Sequence, residues 1–158
     1  MSKIFIDTNI LVYAMDGADP LKQKQSRFLL QELQENSNTG VISTQVLQEF
    51  YVTATKKLNL DPILVKSILR AFENFEVVVI GPDLIESAVD CSVLNQISFW
   101  DALVVVSAES ACCERILSED LNSGQIIRGV KIANPFFKPD RLNEAGEFYQ
   151  LKTPKRRC

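Results

Sequence analysis

Four acidic residues are the side chains of this sequence with the clearest capacity for chemistry. Asp7, Glu49, Asp101 and Asp120 lie in separate stretches of the chain, and no lysine or arginine is adjacent to any of them in sequence. Carboxylates that repel one another persist together mainly when a hard cation binds them through oxygen. If the fold brings them together, these acids predict a site for Mg²⁺ or Mn²⁺.

Each acid also has a purely structural interpretation. Asp7 could end a strand as a turn residue, Glu49 could pair with a lysine, and Asp120 could begin the turn Asp-Leu-Asn-Ser-Gly. Asp101 follows Ser98 by three residues, as in a capping box, and a helix dipole favours an anion in its first turn. Glu49 and Asp101 nevertheless have apolar neighbours, and a carboxylate that such neighbours bury needs a partner.

The sequence contains no histidine. This excludes Ser-His-Asp and Cys-His nucleophile systems, HExxH zinc proteases and every histidine general base. Any hydrolytic chemistry must therefore use carboxylates, hydroxyls or a bound metal.

The net charge of −3 argues against a protein that holds nucleic acid by bulk electrostatics alone. A nuclease is still compatible with this charge, because divalent ions would neutralise part of an acidic site. Lys22, Lys24, Arg27, Lys56 and Lys57 could supply a local phosphate-binding track, or they could simply form solvated helix faces.

Short strands alternate with longer helical patterns, which predicts βαβ units and a parallel sheet. The predicted strands cover residues 3–7, 41–43, 77–80, 116–118 and 130–132. The unbroken apolar run at 77–80 predicts a strand covered on both faces. The predicted helices begin at capping or proline signals: Asp19-Pro20 (ending near Glu35), Thr44, Asp61-Pro62, Gly81-Pro82 and Ser98.

These elements predict one α/β protein, a three-layer α/β/α sandwich with a central parallel sheet. In such a sheet, ligands bind beyond the carboxyl ends of the strands where the strand order reverses. Asp7 and the loop that carries Asp120 should both lie there.

Length and composition fit one domain of 1–137 with a polar, basic C-terminal extension of 138–158. The N-terminus, 1–15, does not resemble a signal peptide, and the longest apolar run elsewhere, 102–106, is far too short to span a bilayer. We therefore expect a cytoplasmic protein without a membrane partner. The cysteines at 91, 112, 113 and 158 match no zinc spacing and are expected to be free thiols.

Four segments carry a family resemblance. FIDTNILVYAM, TQVLQEF, SFWDALVVVSA and ILSEDLNSGQIIRGVKIANPF occur in this order along residues 2–137. They resemble the successive motifs of the PIN domain, particularly those of bacterial VapC-like members, the toxins of type II toxin–antitoxin systems.

The resemblance implies that Asp7, Glu49, Asp101 and Asp120 form the acidic metal site of a PIN-like fold. It also implies supporting roles near this site for Thr8, Asn9 and Ser43, whose polar groups could equally be helix caps or turn formers. Asn122 matches a position where similar proteins often have a further acid. Its amide adds no charge, which leaves a second metal ion less well supported.

The activity implied by the resemblance is Mg²⁺- or Mn²⁺-dependent hydrolysis of RNA phosphodiester bonds by water, leaving 5′-phosphate and 3′-hydroxyl ends. Single-stranded or looped RNA is the expected substrate. A homodimer and a small antitoxin protein are the partners that a VapC-like chain implies.

Three other interpretations are open at this point. The chain could be a solitary housekeeping PIN nuclease without an antitoxin. A haloacid-dehalogenase-like phosphatase also starts from a strand-ending aspartate, but it needs a second acid where this chain has Asn9. A receiver-like module could bind Mg²⁺ without cleaving RNA, although no paired acid precedes Asp7.

Overall fold

A mostly parallel six-stranded sheet forms the centre of the computed structural model, which describes residues 2–136. The strands are β1 (Lys3–Ile6), β2 (Thr39–Ser43), β3 (Glu76–Val78), β4 (Arg115–Leu117), β5 (Ile126–Ile127) and β6 (Val130–Ala133). Their order across the sheet is β3-β2-β1-β4-β6-β5, and only the β5–β6 hairpin is antiparallel. The predicted C-terminal extension lies outside the described residues.

Six helices within residues 2–136 flank the sheet, so the predicted three-layer α/β/α architecture is confirmed. They are α1 (Thr8–Met15), α2 (Pro20–Glu35), α3 (Thr44–Lys56), α4 (Pro62–Ala71), α5 (Pro82–Asn95) and α6 (Phe99–Ser110). The capping signals work as predicted at α2 and α4, where the side chains of Asp19 and Asp61 accept backbone N–H groups of the first turn.

Helix α1 was missing from the sequence-based prediction, which extended the first strand to Asp7. The strand ends at Ile6, and Asp7 is the N-cap of α1. The helix is short and buried at Thr8, Ile10, Leu11, Val12 and Ala14, so it carries no polar face whose spacing would reveal a helical period.

The predicted cap of α3 was wrong by one residue. Ser43, rather than Thr44, accepts the N–H of Val46, at 3.4 Å. The hydroxyl of Thr44 instead accepts the backbone N–H of Ile80, at 3.2 Å. Thr44 therefore ties α3 to the segment that follows β3.

The strand predicted to be covered on both faces is an edge strand. β3 pairs only with β2 in the described sheet, and Val79, just beyond it, is 75% exposed. The segment 119–129, which lies between two predicted strands, also contains β5, which turns into β6 through Arg128 and Gly129, both with positive φ. This turn explains the antiparallel hairpin at the opposite edge of the sheet.

The core fills the space between β1, β2, β4, β6 and the helices. Phe5, Ile6, Ile42 and Ile116 from the sheet are fully buried, as is nearly all of the apolar run in α6. No single helix in the described part of the chain is long and apolar enough to cross a membrane, and α5 with α6 meets that test only as a pair bent by 115°. Cys91, Cys112 and Cys113 are free thiols, as expected.

The strand order reverses between β1 and β4. From β1 the chain builds outward through β2 and β3 on one side, and β4, β6 and β5 occupy the other side. The backbone N–H of Asp7 donates to the carbonyl of Leu117 at 3.0 Å, so the ends of β1 and β4 are in register. The predicted crevice therefore begins at Asp7.

Candidate active site

Asp7 is a buried carboxylate at the junction of β1 and α1. Its residue exposure is 7%. Oδ1 accepts the backbone N–H of Thr8 at 2.8 Å, and Oδ2 accepts the hydroxyl of Ser118 at 2.6 Å. Because Ser118 directly follows β4, this bond joins the ends of the two strands at the reversal point.

Burial raises the pKa of Asp7 from 3.8 to about 6. The hydrogen bonds from Ser118 and the Thr8 backbone oppose this rise, while the charges of Glu49 and Asp120 add to it. These two acids therefore lie close enough to repel Asp7 electrostatically. A nearby positive charge would therefore stabilise the ionised form of this carboxylate.

Asn9 lies between the first acid and the loop after β4. Its Nδ2 donates to Asp120 Oδ2 at 3.0 Å, and makes longer contacts of 3.4 Å to both Ser118 Oγ and Asp7 Oδ2. Its Oδ1 accepts the backbone N–H of Glu119 at 3.3 Å. Asn9 thus joins two acids that are 113 positions apart in sequence and fixes the loop between them.

Glu49 reaches the site from α3 and is partly buried. Its Oε2 accepts the hydroxyl of Thr8 at 2.8 Å, and its Oε1 accepts Gln45 Nε2 at 2.9 Å. The lysine pairing considered for Glu49 is absent among the described ion pairs. A hydroxyl and an amide hold the carboxylate without neutralising its charge.

Asp101 lies in the first turn of α6, where its backbone N–H donates to Ser98 Oγ at 3.1 Å. This bond confirms the Ser98 half of the predicted capping box. The described contact between this turn and the other acids runs through Gln45, whose Nε2 also donates to the Trp100 carbonyl at 3.3 Å. The structure therefore brings Asp7, Glu49 and Asp120 together and leaves Asp101 beside them.

The remaining predicted residues have different places. Thr8 and Asn9 touch the acids directly, whereas Ser43 is fully buried and caps α3, which orients Glu49 indirectly. Asn122 is exposed in the turn after Asp120, where its carbonyl accepts the N–H of Gln125 at 3.2 Å.

Ser118 and Gln45 also contact the acids, although neither was predicted from the sequence as a site residue. Ser118 had a usable signal, because it is a polar residue directly after a buried strand, as Asp7 is. Gln45 had none, since a glutamine near the start of a helix is usually solvated. Its burial, with 5% exposure, accompanies the contact of its side chain with the Trp100 carbonyl at the start of α6, 55 positions away in sequence.

An open cavity of about 600 Å³ lies beside the acids. Its walls combine acids, amides, hydroxyls and apolar side chains. The residues that line it are Thr8, Asn9, Val12, Tyr13, Gln45, Gln48, Glu49, Val52, Thr53, Lys57, Trp100, Glu119 and Asp120. Of the five basic residues considered for a phosphate track, only Lys57 lines this cavity.

The donor chemistry of the site fits a hard divalent cation. Asp7, Glu49 and Asp120 offer carboxylate oxygens, the preferred ligands of Mg²⁺ and Mn²⁺. Within residues 2–136, however, no three acidic or cysteine side chains already stand in a metal-binding arrangement. The three carboxylates are neighbours held by hydroxyl and amide donors, and a bound cation would have to draw them closer.

A family model for the PIN domain matches residues 4–126 of the chain. No curated protein matches the sequence significantly. Among solved structures, the chain is similar to VapC20 of Mycobacterium tuberculosis, a toxin that cleaves the sarcin-ricin loop. The identity is 18% and the TM-score is 0.60, and the match covers 74% of this chain and 91% of that one.

Two further structures are toxin–antitoxin complexes. VapBC2 of Rickettsia felis, bound to a DNA fragment from its promoter, has 20% identity and a TM-score of 0.62, and the match covers 84% of this chain and 98% of that one. A toxin–antitoxin complex from Klebsiella pneumoniae has 21% identity and a TM-score of 0.63, and the match again covers 84% of this chain and 98% of that one. At these identities the likeness shows a common fold.

Proposed function

Because the chain belongs to the PIN domain family, we propose that it is a metal-dependent endoribonuclease and acts as a VapC-like toxin. One observation carries the proposal. Asp7 is a buried aspartate at the point where the strand order reverses. The negative charges of Glu49 and Asp120 repel its carboxylate, and an open cavity lies beside the three acids. Such a site favours binding of a cation together with a negatively charged phosphate.

Asp7, Glu49 and Asp120 would hold Mg²⁺ or Mn²⁺, and Asp101, in the first turn of α6, would be the fourth acid of the site. The cation supplies a Lewis acid and neutralises charge that develops on the phosphate during hydrolysis. The chain's own polar groups keep the carboxylates in position. Thr8 orients Glu49, while Asn9 holds Asp120 against Asp7.

The lack of histidine makes the 2′-hydroxyl route of acid–base ribonucleases a poor candidate, because that route needs both a proton acceptor and a proton donor that titrate near neutral pH, and Asp7 could be only one of them. Attack of water in line with the leaving 3′-oxygen is the alternative that a carboxylate site supports. The expected products carry 5′-phosphate and 3′-hydroxyl ends.

The toxin role rests on the structural neighbours, which are a toxin and two toxin–antitoxin complexes. We propose by analogy a small antitoxin partner, a homodimer and a cytoplasmic location. A short reading frame for a DNA-binding protein beside this gene would support the toxin role. Its absence would favour a solitary PIN nuclease with the same chemistry.

The nuclease proposal is tested with the purified full-length chain, Mn²⁺ or Mg²⁺, and a pool of structured RNAs. Cleavage should require the metal, stop with EDTA and be lost in Asp7→Asn. Asp61→Asn is the matched control, because Asp61 caps α4 away from the site and asparagine caps helices about as well.

Two results would contradict the nuclease proposal. Equal cleavage by the Asp7→Asn variant would show that the activity comes from elsewhere. Metal uptake by calorimetry without cleavage of any RNA would instead indicate a module that binds Mg²⁺ without catalysis.

A further inference from the structure

Trp100 is an exposed aromatic side chain in the wall of the cavity that contains the acids. It is the only tryptophan of the chain and is 62% exposed. It lines the cavity together with Glu49 and Asp120. A large apolar ring left open beside carboxylates has no role in holding a metal ion, so the chemistry described above leaves it unexplained.

The ring is anchored to a rigid part of the fold. Trp100 makes a T-shaped contact with Phe99, with ring centroids 5.1 Å apart and planes at 73°, and Phe99 packs against the core. The Trp100 carbonyl accepts Gln45 Nε2, which also donates to Glu49. A single side chain thus sets the distance between the tryptophan backbone and an acid of the site.

This geometry leaves the indole free to stack. A T-shaped contact can occupy at most one face of the ring. Every nucleobase has a π-face, so a fixed aromatic side chain binds unpaired bases with little regard to their identity. Bases inside a duplex already stack on each other and cannot use it.

We propose that Trp100 is a stacking platform for an unpaired base next to the phosphate that the acids act on, so that the site selects single-stranded or looped RNA. The proposal rests on the ribonuclease function and adds a residue that determines its substrate class. Lys57 lines the same cavity and forms none of the described ion pairs, so it is available for a phosphate of the same strand.

The single tryptophan makes the platform directly observable by its own fluorescence. Wild-type protein is mixed in a stopped-flow instrument with a 12-nucleotide RNA of unpaired sequence or with the corresponding blunt duplex, in Mg²⁺ and in EDTA. The unpaired RNA should quench the indole emission saturably before cleavage, and the duplex should not do so at equal concentration.

Three variants separate stacking from general effects. Trp100→Ala should raise the KM for the unpaired RNA about 5- to 150-fold, the range expected for loss of one stacked base. Trp100→Phe should retain most of the affinity because it keeps a π-face. Tyr51→Ala removes an aromatic side chain that is also exposed but lies outside the cavity lining, and should leave KM unchanged. Thermal unfolding of all three confirms that they fold.

The outcomes distinguish this inference from the function on which it rests. Cleavage by the wild type with no quenching, or with an unchanged KM in Trp100→Ala, would overturn the stacking role and leave the nuclease intact. Saturable quenching without cleavage would support stacking and contradict the nuclease. An emission change that depends on the concentration of the protein, and not on the concentration of the RNA, would overturn the proposal and assign Trp100 to a protein interface.

Discussion

Replacing Asp7 with asparagine is expected to stabilise the metal-free protein at neutral pH while it abolishes cleavage. Asp7 is 7% exposed, and its pKa rises from 3.8 to about 6 because burial and two nearby acids disfavour its charged form. Keeping this carboxylate ionised at pH 7 therefore costs about 3 kcal/mol of folding free energy. An uncharged side chain of the same shape avoids that cost.

The net gain should be smaller, about 1–2 kcal/mol. Asparagine keeps an oxygen for the N–H of Thr8, but its amide would face Ser118, whose hydroxyl already accepts bonds from Asn9 and from the Asp120 backbone. A hydrogen bond of this kind that is lost or mismatched removes about 1 kcal/mol or more of the gain.

The pH dependence gives the sign of the effect. Because the folded-state pKa lies above the unfolded value, the folded state holds the proton more tightly between about pH 4 and 6. This carboxylate's contribution to stability is thus intact below pH 4 and is lost as the pH rises through 6. Asp7→Asn should therefore be slightly less stable than the wild type at pH 4, where only the hydrogen-bond loss remains, and should reach its full advantage above pH 6.

Urea unfolding in EDTA, followed by circular dichroism from pH 4 to 8, measures this difference, with Asp61→Asn as the control. Adding Mg²⁺ should then stabilise the wild type and leave Asp7→Asn nearly unchanged, because only a folded site that binds the ion is stabilised by it. A variant that is less stable than the wild type at pH 7.5, or a difference independent of pH, would refute the reasoning.

Three further predictions concern the cavity and the sheet. Asn9→Ala should lower kcat at least tenfold at saturating metal, since three contacts that hold the acids and Ser118 disappear; unchanged kcat would deny Asn9 a positioning role. Lys57→Ala should raise KM for RNA and reduce the slope of log affinity against log salt by about 1, whereas Lys66→Ala, on the exposed side of α4, should change neither. Gly40→Ala should lower the free energy of unfolding by about 1–3 kcal/mol, because the added methyl would lie 2.7 Å from a Phe75 ring carbon; equal urea midpoints would show that the ring moves aside.

Local chemistry allowed much of the fold to be predicted from sequence. Asp19 and Asp61, each followed by proline, marked helix starts that the structure confirms, because a cap and its first turn are close in sequence. The reversal point was also predictable, since alternating strands and helices build parallel sheets whose crevice lies at the strand ends. The boundary of the C-terminal extension stays a prediction.

Contacts between distant residues were decided by the tertiary structure alone. The run 77–80 looked like a central strand, but its position in the sheet depends on which strands pair with it, and it pairs with one. Helix α1 was not predicted because it is buried on most sides. Its sequence therefore lacks the regular alternation of apolar and polar residues from which a helix is recognised.

The candidate site shows the same division. The residue types of Asp7, Glu49, Asp101 and Asp120 were enough to suggest a hard cation, because carboxylate chemistry belongs to the side chain itself. Which of them meet, that Asn9 and Ser118 hold two of them, and that Trp100 opens into their cavity depend on strand order and helix packing. Those distances arise between segments far apart in the chain, and no local pattern of residues records them.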